Sequence, residues 1–257
     1  MSKTLVFSYH SQLASYGKDI TLAKQKTHVS DESPRKSQII GTIAAALGID
    51  KYKNSFEVFS KLSAKIKFAS LDMSNKKSFI SDFQVISSVK KAKIYGTYAS
   101  RGMELKKGNF VNELREKEYF MNSFFLIAIE SEDEQLIEDI HRAFKTPAYP
   151  LFVGRKNCVL ATNTSSKIYL EPLITSLLKH KKELKKEAEI LGLEPILNFS
   201  NQILYVDKVD FSEDIRVGDN DLTVIKLINR NDNYRLGTKK RSFSSRQDLA
   251  ISVSEGV

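Results

Sequence analysis

The chain has 257 residues, of which 41% are hydrophobic and 28% charged, and a formal net charge of +9. That length supports a sizeable core, as one large domain or two small ones, and no apolar run approaches membrane-spanning length. The basic balance favours a polyanionic partner, nucleic acid ahead of a membrane surface, and the single cysteine, Cys158, excludes an internal disulfide and fits a reducing cytoplasm. Met1-Ser2-Lys3 precedes only a short apolar run, so no secretory leader is expected.

Lys3-Thr4-Leu5-Val6-Phe7-Ser8 is short and β-prone and reads as a first strand; Lys18 to Glu32 is polar and reads as a connection. The next stretch, Ser33 to Ile49, reads as a helix with marked ends. Ser33 is expected as its cap, Pro34 at its first position and Gly48 as its left-handed stop. Ile39, Ile40, Ile43, Ala44 and Leu47 fall on one face and point to a core. The first turn carries Arg35 and Lys36, where the helix dipole disfavours cations. Two readings stand: a phosphate site made of free N–H groups and two cations, or a core helix with solvated basic residues.

A shorter helix over 54–62, a strand over 65–71 and a strand over 78–86 follow. Residues 87–116 then hold Lys90, Lys91, Lys93, Arg101, Lys106, Lys107 and Arg115 with Tyr95, Tyr98 and Phe110 interleaved. This segment reads as an extended hairpin or protruding loop. Its rings and cations suit RNA, or else form a solvated loop with locally packed tyrosines. Tyr119 to Ile129 is strongly apolar and reads as a central strand; Ser131 is expected to cap an acidic-fronted helix reaching about Phe144. The order of strands and helices fits an α+β, ferredoxin-like unit, the framework of RNA-recognition domains.

Two prolines make 145–150 extended. In the following run Gly154 allows close backbone approach and Arg155 and Lys156 supply charge, for a ligand or simply at a hairpin turn; Cys158 reads as core. Residues 172–191 read as a helix with a solvated lysine–glutamate face. Strands at 203–206 and 222–227 lead to an end rich in Arg230, Tyr234, Arg235, Lys239, Lys240, Arg241 and Arg246, then an apolar-polar tail. The four histidines are scattered without metal-ligand spacing, and neither a phosphate-binding loop nor a nucleophile elbow is present. No cofactor or metal is expected. A metal-independent ribonuclease could draw on Tyr9, His10 and Lys24, which no spacing singles out.

Several pieces, in order, resemble the type I-E (CasD) branch of the fifth CRISPR-associated protein family, in the RAMP superfamily. They are Gln12 to Gly17, with Tyr16 where tryptophan is usual, then Pro34-Arg35-Lys36-Ser37 through Leu47-Gly48, and Lys117-Glu118-Tyr119-Phe120 leading into the central strand. Pro150-Leu151-Phe152-Val153-Gly154-Arg155-Lys156-Asn157-Cys158 follows, with a basic segment at Tyr234-Arg235 and Arg241. Lys117 stands for the usual arginine and Asn157 for the usual serine. The first exchange keeps charge without the planar fork and leaves open whether Lys117 or Arg115 meets phosphate.

The resemblance implies a ferredoxin-like palm over 1–165, interrupted by a thumb at about 87–116, with a C-terminal extension over 166–257. It implies a non-catalytic subunit of a Cascade surveillance complex that grips the 5′ handle of the CRISPR RNA. Its neighbours would be a CasC-like backbone subunit and a CasA-like large subunit, with no membrane and no isolated homo-oligomer. The implied RNA-binding residues are Arg35, Lys36, Ser37, Arg115, Lys117, Tyr119, Gly154, Arg155, Lys156 and Asn157. Lys90, Lys91, Lys93, Tyr95, Tyr98 and Arg101 of the thumb would meet RNA or a neighbouring subunit. A related branch, in type I-C systems, cuts precursor RNA; the type I-E likeness implies no catalytic set.

Overall fold

The computed structural model describes residues 2–17, 27–50, 56–89, 110–161, 166–191, 197–200, 202–208, 220–234 and 243–255. Its elements are β1 (Lys3–Ala14), β2 (Thr27–His28), α1 (Lys36–Ala46), α2 (Phe56–Ala64), β3 (Lys67–Asp72), β4 (Ser78–Val89) and β5 (Phe110–Ser131). These are followed by α3 (Glu134–Lys145), β6 (Ser166–Tyr169), α4 (Leu173–Leu191), β7 (Gln202–Asp207), β8 (Asn220–Tyr234) and β9 (Phe243–Glu255). They build a mixed α/β architecture on one nine-stranded sheet in the order β6-β1-β5-β3-β7-β9-β8, with β2 and β4 both pairing β5 off that path. All pairings are antiparallel except β2 with β5.

The sheet is covered on both faces, which is why its central strands are near-continuous apolar runs. Successive side chains of a strand point to opposite faces. Leu5, Phe7 and Tyr9 of β1 and Phe125, Ile127 and Ile129 of β5 therefore share one core with Ile39, Ile40 and Ile43 of α1, Phe59 and Leu62 of α2, and Ile137, Ile140 and Phe144 of α3. Val6, Leu126 and Ala128 turn the other way and meet Leu173, Ile174, Leu177 and Leu178 of α4. Lys181, expected on the solvated face of α4, is buried.

The helix ends refine the sequence reading. Gly48 stops α1 in the left-handed region, φ 76°. Ser33 does not cap α1: the boundary residue is Arg35, extended and with no side-chain cap, and the Ser33 hydroxyl instead accepts from Arg230. Pro34 thus lies ahead of the helix. The cap of α3 is Asp133, whose carboxylate accepts from the Leu136 N–H at 3.1 Å, while Ser131 accepts from the Asp133 N–H. The C-terminal tail is strand β9, and the short β6 closes the opposite edge of the sheet.

Strand β5 is long enough to do two jobs. Residues 125–130 pair β3 and 110–121 pair β4 along the same edge. Between the two, Asn122 adopts φ 55° and Ser74 exchanges hydrogen bonds with the Phe124 backbone. Strand β1 ends opposite Phe120, so β4 and the first part of β5 continue beyond it as a ribbon, joined at Glu116 and Lys117 by the short β2. This ribbon flanks residues 90–109; the expected thumb residues Lys90, Lys91, Lys93, Tyr95, Tyr98 and Arg101 lie outside the described residues.

On the α4 face, Tyr169 Oη lies 2.9 Å from His180 Nδ1 and donates to Glu183 Oε2 at 2.9 Å, and Lys167 pairs with that carboxylate at 2.6 Å. Burial lowers the His180 pKa from 6.5 to about 4. Between those values the unfolded chain binds a proton that the folded protein excludes, so this contribution is complete above pH 6.5 and lost as pH falls toward 4. Urea unfolding from pH 7 to pH 4 is expected to show the wild type losing up to about 3 kcal/mol more than His180→Gln. Parallel losses in the two proteins would refute it.

Candidate nucleic-acid interface

Residues 150–160 form a tight hairpin. Phe152 bridges Val159, the Val153 N–H donates to the Cys158 carbonyl at 2.7 Å, and the Cys158 N–H donates to the Arg155 carbonyl at 2.9 Å. Val153 and Cys158 anchor it in the core, and burial pushes the Cys158 thiol pKa up, so this cysteine packs as a small apolar group. Gly154 sits at φ 93° against the end of β1; a Cβ there would fall 1.8 Å from the Ser15 carbonyl oxygen. The Ser15 N–H also donates to the Val153 carbonyl at 3.1 Å. The close approach that only glycine permits therefore fixes the turn against the sheet. Lys156 and Asn157 are exposed at its tip, and Arg155 is half-buried.

The turn rests on the base of the ribbon. The Arg155 guanidinium lies 4.7 Å from the Tyr119 ring centroid, and its Nη1 donates to the Glu118 carbonyl at 3.3 Å. Asn157 Nδ2 donates to Tyr119 Oη at 3.2 Å. Tyr119, Lys117 and Arg115 stand opposite Ile80, Asp82 and Gln84, so alternation places all six on one ribbon face. Lys117 Nζ donates to Gln84 Oε1 at 2.6 Å. The other face carries Phe79, Phe83, Val85 and Leu114, all exposed.

A strap, residues 29–35, reaches the side chain of the same Glu118. The Ser30 N–H donates to Glu118 Oε2 at 2.9 Å, and the Ser30 hydroxyl accepts from the Tyr16 N–H at 2.9 Å. Tyr16, where the family resemblance has tryptophan, packs against Phe120 and Phe125, and its hydroxyl bonds Ser123. The strap and the hairpin thus grip two dipeptides, Ser15-Tyr16 and Glu118-Tyr119, from both sides.

The structure brings together Tyr119, Gly154, Arg155, Lys156 and Asn157, with Lys117 and Arg115 farther along the ribbon. Arg35 and Lys36, at the start of α1, are buried. Each is only 8% exposed, and Arg35 holds Asp31 through Nε at 2.7 Å and Nη2 at 2.6 Å. Ser37 is half-buried. The sequence reading missed Asp31, Glu118 and the C-terminal Arg230 that completes the strap. One local signal was available, since Asp31 lies four residues before Arg35.

Of the residues weighed for ribonuclease chemistry, Tyr9 and His10 point to opposite faces of β1. Tyr9 is fully buried, bonded to Gln38 and the Phe152 carbonyl, and burial pushes its pKa up to about 12. His10 is its neighbour on β1 and packs on Phe124 from the other face; burial lowers its pKa. Lys24 lies outside the described residues. Among the described residues no group of three metal-ligating side chains is assembled, and no helix is long and apolar enough to cross a membrane.

Known structures share this fold. A chain of a CRISPR RNA-guided surveillance complex superposes with a TM-score of 0.56 at 15% identity, covering 98% of this chain and 90% of that one. A Cas protein crystal structure gives 0.53 at 16% identity, covering 98% and 95%. The architecture is thus one found among CRISPR-associated proteins. The family model for the CRISPR-associated protein Cas5 matches residues 4–248, and the chain belongs to that family. No curated protein matches it in sequence.

Gly154→Ala tests how tightly the hairpin is set. The added methyl meets backbone at 1.8 Å in a left-handed conformation, so urea unfolding is expected to show a loss of about 2–4 kcal/mol. A loss under about 0.5 kcal/mol, the size of an ordinary surface change, would show that the turn adjusts freely.

Proposed function

We propose that this Cas5-family chain is a CRISPR RNA-binding subunit of a Cascade-type surveillance complex and grips the 5′ handle of the RNA. The observation that carries this reading is the platform in which Arg155 stacks on Tyr119 beneath a glycine-set turn displaying Lys156 and Asn157. A fixed guanidinium plane and exposed polar tips suit an RNA strand whose bases are splayed and whose phosphates seek cations. Lys117 and Arg115 extend the same ribbon face toward the residues that flank the thumb. Arg35, being buried, holds Asp31 in the strap whose Ser30 bonds Glu118.

In this reading β6-β1-β5-β3, with α1 and α3 as crossover helices, is the ferredoxin-like palm, and the β4–β5 ribbon is the base of the thumb. The sequence likeness favours the type I-E branch, with a backbone subunit and the large subunit as neighbours. It also favours a binding rather than a cutting role. Tyr9 and His10 support that choice, because they occupy opposite faces of β1 and cannot meet one scissile phosphate.

Titration of handle RNA at several salt concentrations tests the site. Arg155→Ala and Lys156→Ala are each expected to weaken binding about tenfold and to make the salt dependence shallower by about 0.7 per lost phosphate contact. Wild-type affinity and slope in the double variant would remove the assignment. Purified protein incubated with repeat RNA without metal is expected to leave it intact; a defined internal cut would establish a processing endoribonuclease instead.

A further inference from the structure

We infer that Arg230, in the C-terminal strand β8, is a positioning residue for the RNA interface, acting through the 29–35 strap; this rests on the function proposed above. Its guanidinium is 2% exposed and divides its donors among three partners. Nη1 reaches Asp31 Oδ2 at 2.5 Å, Nη2 donates to the Ser33 hydroxyl at 2.6 Å, and Nε donates to Asp248 Oδ2 at 3.2 Å. Asp31 in turn holds Arg35, and Asp248 holds Arg246, which lies 3.7 Å from Asp207. Three carboxylates and three guanidinium groups alternate in one buried chain from β7 to the start of α1. The neighbouring residue Ser30 places Glu118 and Tyr16, and Glu118 and Tyr119 carry Arg155. Arg230 therefore sets the dipeptide on which the interface is built while its own side chain is closed to RNA.

Arg230→Lys tests this in the full chain. Lysine keeps the charge that Asp31 and Asp248 require but lacks the planar fork needed to reach Asp31, Ser33 and Asp248 together. Amide hydrogen exchange at Ser30 and Tyr16 is expected to quicken about tenfold while Ile127, in central β5, is unchanged. Handle-RNA affinity is expected to fall about tenfold with the wild-type salt slope, because no phosphate contact is lost. Ser33→Ala removes one hydrogen bond and no charge, and is expected to shift both readouts in the same direction by about threefold.

Unchanged exchange at Ser30 in both variants would overturn the inference. So would quickened exchange with wild-type affinity, which marks a purely structural residue, or a shallower salt slope, which marks a direct phosphate contact. Failure of the wild type to bind handle RNA would remove the proposed function, and the exchange result would still decide whether Arg230 governs the platform.

Discussion

The buried guanidinium of Arg230 joins residues that the chain separates by almost its whole length, 199 positions from Asp31 and 18 from Asp248. Removing one member of such a chain leaves an uncompensated buried charge, a loss of about 3–5 kcal/mol, whereas the intact network adds little beyond an apolar core. Its value is positional. A guanidinium offers donors in fixed directions, so Asp31, Ser33 and Asp248 are held in one relative geometry. Because the strap carrying Asp31 and Ser33 also carries Ser30, the last strands of the sheet are tied to the segment that bonds Tyr16 and Glu118.

That arrangement depends on a sheet covered on both faces. Helices α1, α2 and α3 close one face and α4 the other, leaving the end of β1 and the outer half of β5 as the place where polar backbone emerges. Gly154 brings the hairpin to this edge from one side and Ser30 brings the strap from the other. Tyr119 lies between them, buried yet bonded through its hydroxyl, so the Arg155 plane above it is held by packing and hydrogen bonding.

What was legible in the sequence follows from how local each cause is. The apolar stripe of α1 and the run from Phe124 to Ile129 are local patterns, and both elements formed as read. The cap of α1 was misread because the Ser33 hydroxyl is engaged by a residue 197 positions away, which no window can contain. Strand β9 was passed over as a tail because Arg246 and Asp248 look like surface charges; they are buried only because β7 and β8 bring their partners. The Gly154-Arg155-Lys156 turn stood out through its glycine and cations. Arg35 and Lys36 stood out for the same reason, but their burial depends on partners such as Asp31 that the helix pattern does not display.

The ribbon's second face has a consequence for handling the protein. Phe79, Phe83, Val85 and Leu114 are exposed on a strand pair that, among the described residues, β2 alone flanks beyond β1, at Glu116 and Lys117 of β5. Exposed apolar side chains on a strand pair with open edges invite self-association. The +9 charge opposes that through long-range repulsion, which salt screens within about 10 Å at 0.1 M. Colloidal behaviour should thus run opposite to ordinary salting-in: the isolated chain stays dispersed in dilute buffer and clusters as ionic strength rises, until a complementary surface covers the ribbon.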